Sequence, residues 1–167
     1  MGGGNGLPRV LVIVVVADAS PLIALQRINQ LGLLHTLFTE VLIPPAVARE
    51  LSPRLALPPW LHERALRQPI AREIQHASLG PGESEAISLA LEIQADRLIL
   101  DERAGRRVAE SLGLRVAGVL GLLVLSKQRG LIPAVRPHLD VLLGTGFRAD
   151  PELVSLILRR AGEDAKR

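Results

Sequence analysis

The chain has 167 residues, a formal net charge of +3 and no cysteine. Hydrophobic residues make up 48% and charged residues 22%, which suffices for one packed domain and excludes disorder throughout. The missing cysteine excludes a disulfide scaffold, a thiolate zinc site and a cysteine nucleophile. With aromatics only at Phe38, Trp60 and Phe147, an extended base-stacking surface is not expected.

The basic side is almost all arginine, since lysine occurs only at Lys127 and Lys166, and the isoelectric point is about 10.5. Arginine forks onto phosphate or carboxylate at any working pH, although a GC-rich genome produces the same bias without functional meaning. The longest apolar run, Val10–Ala17, is far short of the ~20 residues of a membrane-spanning helix. It lacks the small-residue cleavage site of a signal peptide. A cytoplasmic protein is expected. Residues 1–9, MGGGNGLPR, read as a flexible extension.

In chain order, Val10–Ala17 reads as a strand buried on both faces, as in a parallel sheet. Asp18-Ala19-Ser20-Pro21 follows, with Ser20 expected as a helix cap and Pro21 in the first turn. Leu22, Leu25, Ile28 and Leu31 recur at helical spacing, giving one helix or two short ones to about Leu37. Val41–Ile43 is a second strand, and Pro45 opens a helix carrying Arg49 and Glu50. Residues 52–59 form a Pro-rich loop, Trp60–Arg67 reads as a short helix, and Ile70–Ser78 is ambiguous. After Gly80-Pro81-Gly82 a helix spans Glu83–Gln94. Arg97–Leu100 is a third strand, Arg103–Leu112 a helix stopped by Gly113, and Arg115–Val119 a fourth strand. Helices at Leu120–Arg129, Pro133–Leu143 and Pro151–Ala161 complete the chain. Strands alternating with helices predict a three-layer α/β/α sandwich on a parallel sheet. The expected divisions are an extension (1–9), a core domain (10–143), and a C-terminal helix with a basic tail (144–167).

Ligands of open α/β sheets bind beyond the carboxyl ends of the strands. The first strand there ends at Asp18, with Ser20 near it, and the third at Asp101, with Glu102 next. Helices starting near the same edge bring Glu50, Glu83 and Glu85. Clustered carboxylates repel one another unless a cation neutralises them, and oxygen-only ligands suit Mg²⁺ or Mn²⁺. Each acid also has a plain structural role open to it: a turn at Asp18, a helix N-terminus at Glu83, Glu85, Asp101 and Glu102, a solvated face at Glu50. His35, His62, His76 and His138 are scattered and show no ligand spacing.

The segments VVVADASPLIAL, LIPPAVARELS, LGPGESEAISLALEI, RLILDERAGRRVA and VAGVLGLLVLSKQRGLI together resemble the PIN-domain family, and within it the proteins related to VapC toxins of toxin–antitoxin pairs. The likeness covers about Leu11 to Leu143. It implies a Mg²⁺- or Mn²⁺-dependent endoribonuclease, with an antitoxin protein as partner and a homodimer or larger oligomer as assembly. Carried over residue by residue, the first acid is Asp18 with Ser20 beside it. The second is Glu50, the third Glu85 with Glu83 competing, and the fourth Asp101, preceded by Leu where many members have Thr or Ser. Asp18, Glu85, Asp101 and Glu83 would hold metal. Arg103, Arg106 and Arg107 could carry the nucleic-acid backbone, or pair with Glu102 and Glu110 on their own helix.

The competing reading is a PIN-like module that binds nucleic acid or protein with weak or no nuclease activity. Other Asp-after-strand folds fit less well. A receiver domain wants a strand-end lysine, whereas Lys127 falls mid-helix. A dehalogenase-type phosphatase wants Asp-x-Asp where Asp18-Ala19-Ser20 stands, and a dinucleotide fold wants Gly-x-Gly-x-x-Gly, which is absent.

Overall fold

The computed structural model describes residues 11–163; the expected extension over 1–9 and the basic end at Lys166-Arg167 lie outside the described residues. Five parallel strands form one sheet: β1 (Val14–Ala17), β2 (Glu40–Ile43), β3 (Leu61–Glu63), β4 (Arg97–Ile99) and β5 (Val116–Ala117). Their spatial order is β3-β2-β1-β4-β5. Nine helices accompany the sheet among the described residues: α1 (Ala19–Arg27), α2 (Gly32–Leu37), α3 (Pro45–Leu51), α4 (Arg72–Gln75), α5 (Pro81–Glu92), α6 (Arg103–Ser111), α7 (Val119–Gln128), α8 (Arg136–Gly144) and α9 (Pro151–Arg160). This is the expected α/β/α sandwich.

The strand core follows from side-chain type. Val15, Val16 and Ala17 of β1 are fully buried, as a central strand covered on both faces requires. β1 is nevertheless shorter than the apolar run that predicts it. Its ladder begins where Val14 stands opposite Glu40, and Leu11 and Val12, before that register, are 78% and 57% exposed. The first helix is two: α1 and α2 are separated at Asn29, which adopts a left-handed φ of 58°.

Two local expectations are corrected. Residues 60–67 hold no helix. Leu61, His62 and Glu63 pair in parallel with Val41, Leu42 and Ile43 as the edge strand β3; the ladder offered by the open side of β2 overrides the helical preference of LHERAL. Ser20 is not the cap of α1. The helix begins at Ala19, so Asp18 occupies the cap position, and its side chain makes no capping hydrogen bond.

The C-terminal helices pack on the same core. Ile157, Leu158 and Ala161 are buried within it. The Glu163 carboxylate accepts the backbone N–H groups of Val135 at 2.8 Å and Arg136 at 3.0 Å, and Lys127 Nζ at 3.1 Å. Lys127 Nζ also donates to the Ala161 carbonyl. No described helix is long and apolar enough to cross a membrane.

Candidate active site

The strand order reverses at the β1/β4 pair: the chain builds outward from β1 to β2 and β3, then returns to the other side of β1 for β4 and β5. Such a reversal opens a crevice at the carboxyl ends of the two strands. Asp18 follows β1 and Asp101 follows β4, so the topology sets one acid on each lip. The Asp18 backbone N–H donates to the Ile99 carbonyl at 2.9 Å, which ties the two strand ends together.

Helices bring the remaining acids. α3 carries Glu50, the first turn of α5 carries Glu83, and Glu102 stands at the cap position of α6. These charges act on one another. Asp18 is only 3% exposed, and its carboxyl is pushed up to about 6. Burial is the main cause, opposed by the Ala19 N–H and reinforced by Glu50, Glu102 and Asp101. Glu83 is pushed up to about 7, first by burial and then by the charges of Glu102 and Asp18. Asp101 is raised by burial, against the Val119 N–H, which donates to its Oδ1 at 3.1 Å, and against the Arg106 charge. Two carboxylate oxygens, Glu83 Oε2 and Asp101 Oδ2, are buried with no hydrogen-bond partner.

Three glycines make room for these groups. A methyl group on Gly82 would stand 2.7 Å from Glu50 Oε1 and 3.3 Å from Asp18 Oδ1. On Gly105 it would stand 2.6 Å from Glu83 Oε2, and on Gly118 2.5 Å from Asp101 Oδ1. Any larger residue at these positions would press into the carboxylates.

The structure thus brings together Asp18, Glu50, Glu83, Asp101 and Glu102. It does not bring Glu85, the expected third acid, into that cluster. Glu85 lies about 200° around the helix from Glu83, and its Oε2 faces Arg49 Nη2 at 3.8 Å. Ser20 is exposed and borders the same groove as Asp101 and Arg106. Of the expected nucleic-acid contacts, Arg106 lies beside Asp101, Arg103 pairs with Asp150 at 3.6 Å, and Arg107 is exposed. Pairing of these arginines with Glu102 or Glu110 is not seen among the described residues. Sequence reasoning placed no weight on Gly82, Gly105 and Gly118; the signal available was a glycine within four residues of an acid or at the mouth of a helix, which is too common to single out.

The donor set is entirely hard oxygen. Among the described residues no three acidic or histidine side chains close into a ready-made metal cage. The carboxylates that do stand here offer only hard oxygen donors, the chemistry of divalent cations that bind through one or two carboxylates and keep several waters. The two partnerless buried oxygens are where such a cation would satisfy the protein.

The family model DUF3368, described as a PIN domain, matches residues 14–163. The chain belongs to the PIN-domain family. PIN domains are generally nucleases and typically use divalent metal ions. Among solved structures, the chain is similar to a PilT N-terminus domain protein from the hyperthermophilic archaeon Sulfolobus solfataricus P2. The two share 21% identity at a TM-score of 0.51, over 68% of this chain and 93% of that one, a likeness of fold. No curated protein matches the chain.

Proposed function

We propose that this PIN domain is a divalent-cation-dependent endoribonuclease of the cytoplasm, the toxin-like component of a toxin–antitoxin pair. The observation that carries the reading is the convergence of Asp18, Glu83 and Asp101 on the β1/β4 crevice, with two buried carboxylate oxygens left without partners. Asp18 and Glu102 stand at helix cap positions and make no side-chain capping bond, and Asp101 serves the start of α7 with one oxygen only, its other oxygen being buried without a partner.

In this reading Asp18, Glu83 and Asp101 hold the cation, and Glu50 and Glu102 complete the negative rim. When bound there, Mg²⁺ or Mn²⁺ would supply an activated water near neutral pH and offset charge developing on the scissile phosphate. The Val119 N–H holds one oxygen of the Asp101 carboxylate and leaves the other without a partner. The Ser20 hydroxyl is exposed beside Asp101, where it can donate to a phosphate oxygen. Arg106 adds a cation on the same wall. Neither histidine nor cysteine stands among these acids, so hydrolysis needs no covalent intermediate. RNA as substrate, the antitoxin and a homodimeric assembly are drawn from the resemblance to VapC-related proteins.

The test is cleavage of a broad RNA set with Mg²⁺ or Mn²⁺ by the wild type and by Asp18→Asn. The expected result is cation-dependent cleavage lost in the variant. Equal cleavage by both would remove the catalytic role of the acids. Binding without cleavage in either would favour the binding-module reading. A small adjacent reading frame encoding a DNA-binding protein is the expected genomic sign of the antitoxin.

A further inference from the structure

Three grooves with volumes of about 800, 710 and 230 Å³ meet at Asp101, the one acid of the cluster that lines all three, and Phe147 lines all three with it. The two larger ones share Arg106 and Arg148. The smallest is walled by Arg27 and Arg54, which continue into a fourth groove of about 350 Å³. Cationic walls therefore lead away from Asp101 in more than one direction, with Phe147 at their meeting point.

Phe147 is placed there by its loop. It lies between α8 and α9 and follows Gly146, whose φ of 91° is costly for any side-chain-bearing residue. The far end of the loop is tied to the start of α6 by the Arg103–Asp150 pair. Phe147 is partly buried against the core yet lines the grooves, whereas the other two aromatics line none of them. Phe38 is 5% exposed in the core, and the Trp60 ring stacks on His35 with centroids 5.3 Å apart. An anionic pocket repels the phosphates it must cleave, so a substrate strand has to be held on its flanks by cations and by base stacking.

We infer that the α8–α9 loop is a strand clamp: Phe147 stacks on a base beside the scissile phosphate of single-stranded nucleic acid, while Arg27 and Arg54 hold phosphates on one flank and Arg106 and Arg148 on another. The inference rests on the nuclease reading and adds the path of the substrate. Phe147, Arg27 and Arg54 are positioning residues in it. A duplex, whose bases are stacked internally, cannot offer Phe147 a free base, so the clamp selects single strands.

The experiment measures cleavage kcat and KM in Mn²⁺ for the wild type, Phe147→Ala, Phe147→Trp and the Arg27→Ala/Arg54→Ala double variant. The probe is a single-stranded RNA carrying 2-aminopurine, with the same sequence as DNA and as duplex RNA in parallel. Phe147→Ala should raise KM by about 5- to 100-fold, as loss of one stacked base does, and abolish the 2-aminopurine quenching. Phe147→Trp should restore both. The double variant, at two exposed positions, should raise KM and flatten the log–log salt dependence of binding by about 1.4, at ~0.7 per lost phosphate contact on a single strand. Duplex RNA should be a poor substrate throughout. Equal effects on the RNA and DNA strands support the clamp and show that it reads base and phosphate rather than the 2′-hydroxyl. If the wild type cleaves single strands while KM, quenching and salt dependence are unchanged in both variants, the clamp is wrong and the nuclease reading stands. If the wild type neither binds nor cleaves any of the probes, both fall.

Discussion

Asp18 stands where a helix-start residue stands and is free of that duty. It holds the cap position of α1 without capping it, is 3% exposed, and keeps a carboxyl pushed up to about 6. Its charge is thus a cost to the fold that a bound cation would relieve. Asp18→Asn should lower cleavage on the order of 100-fold or more, since even outer-shell partners of a metal are worth 10- to 100-fold. The same substitution should raise the melting temperature of cation-free protein at pH 8. A thermal melt in EDTA that shows destabilisation instead would mean that the carboxylate stabilises the fold. Glu83 and Glu85 give a sharper contrast. Glu83→Gln removes a group in the cluster and should lower cleavage about as much as Asp18→Asn. Glu85→Gln weakens a 3.8 Å pairing between the half-buried Glu85 and the exposed Arg49, away from the cluster, and should leave cleavage within a few-fold of wild type. The reverse ranking would return the third acid to Glu85.

At the scale of elements, the acids are set by where strands end and helices begin, and glycine keeps those junctions open. Gly82 tests this. As a helical position in α5, alanine there should stabilise the helix by roughly 0.5–1 kcal/mol. Its methyl, however, would stand 2.7 Å from Glu50 Oε1, so the acids must move. Gly82→Ala should keep or raise the melting temperature while lowering cleavage at least about tenfold; parallel measurement of both properties separates crowding of the site from loss of fold. This scale also shows what the sequence could express. β1 and β4 were legible because fully buried strands are nearly all β-branched or leucine, and the acids closing them were legible with them. β3 was not, because three residues of an edge strand owe their form to the partner β2 rather than to their own preference. Glu83 and Glu85 could not be separated, because facing depends on the rotation of α5 against α3, which two-residue spacing does not encode. Ser20 is not the cap its sequence suggests, because the turn residues allow the helix to start two residues earlier.

For the whole molecule, pH sets two opposite demands. Asp18 and Glu83 titrate near 6 and 7 in the fold and near 4 when unfolded. A carboxyl raised in the folded state binds more protons there than in the unfolded chain, so stability falls as pH rises from the unfolded to the folded value. Cation-free protein should therefore melt at a lower temperature at pH 8 than at pH 5, and added Mn²⁺ should restore much of the loss at pH 8 but little at pH 5. Glu163 does not blur this window. Burial raises its carboxyl, but the Val135 and Arg136 N–H groups and Lys127 outweigh it and hold the group below the usual carboxylate range, so it is ionised throughout. Its own role is to lock the C-terminal helices. Glu163→Ala leaves two backbone donors without their acceptor, which costs about 1–3 kcal/mol and should lower the melting temperature by about 3–10 °C at any pH above 5.

The central claim is that these acids form one cation-holding centre for phosphodiester cleavage, and the rate of RNA cleavage as a function of Mn²⁺ concentration, for wild type and Glu83→Gln, tests it most directly. Cleavage should be absent in EDTA and rise to saturation for the wild type, and the half-saturation of the variant should shift upward at least about tenfold. Cleavage that persists in EDTA, or one curve shared by both proteins, would contradict it.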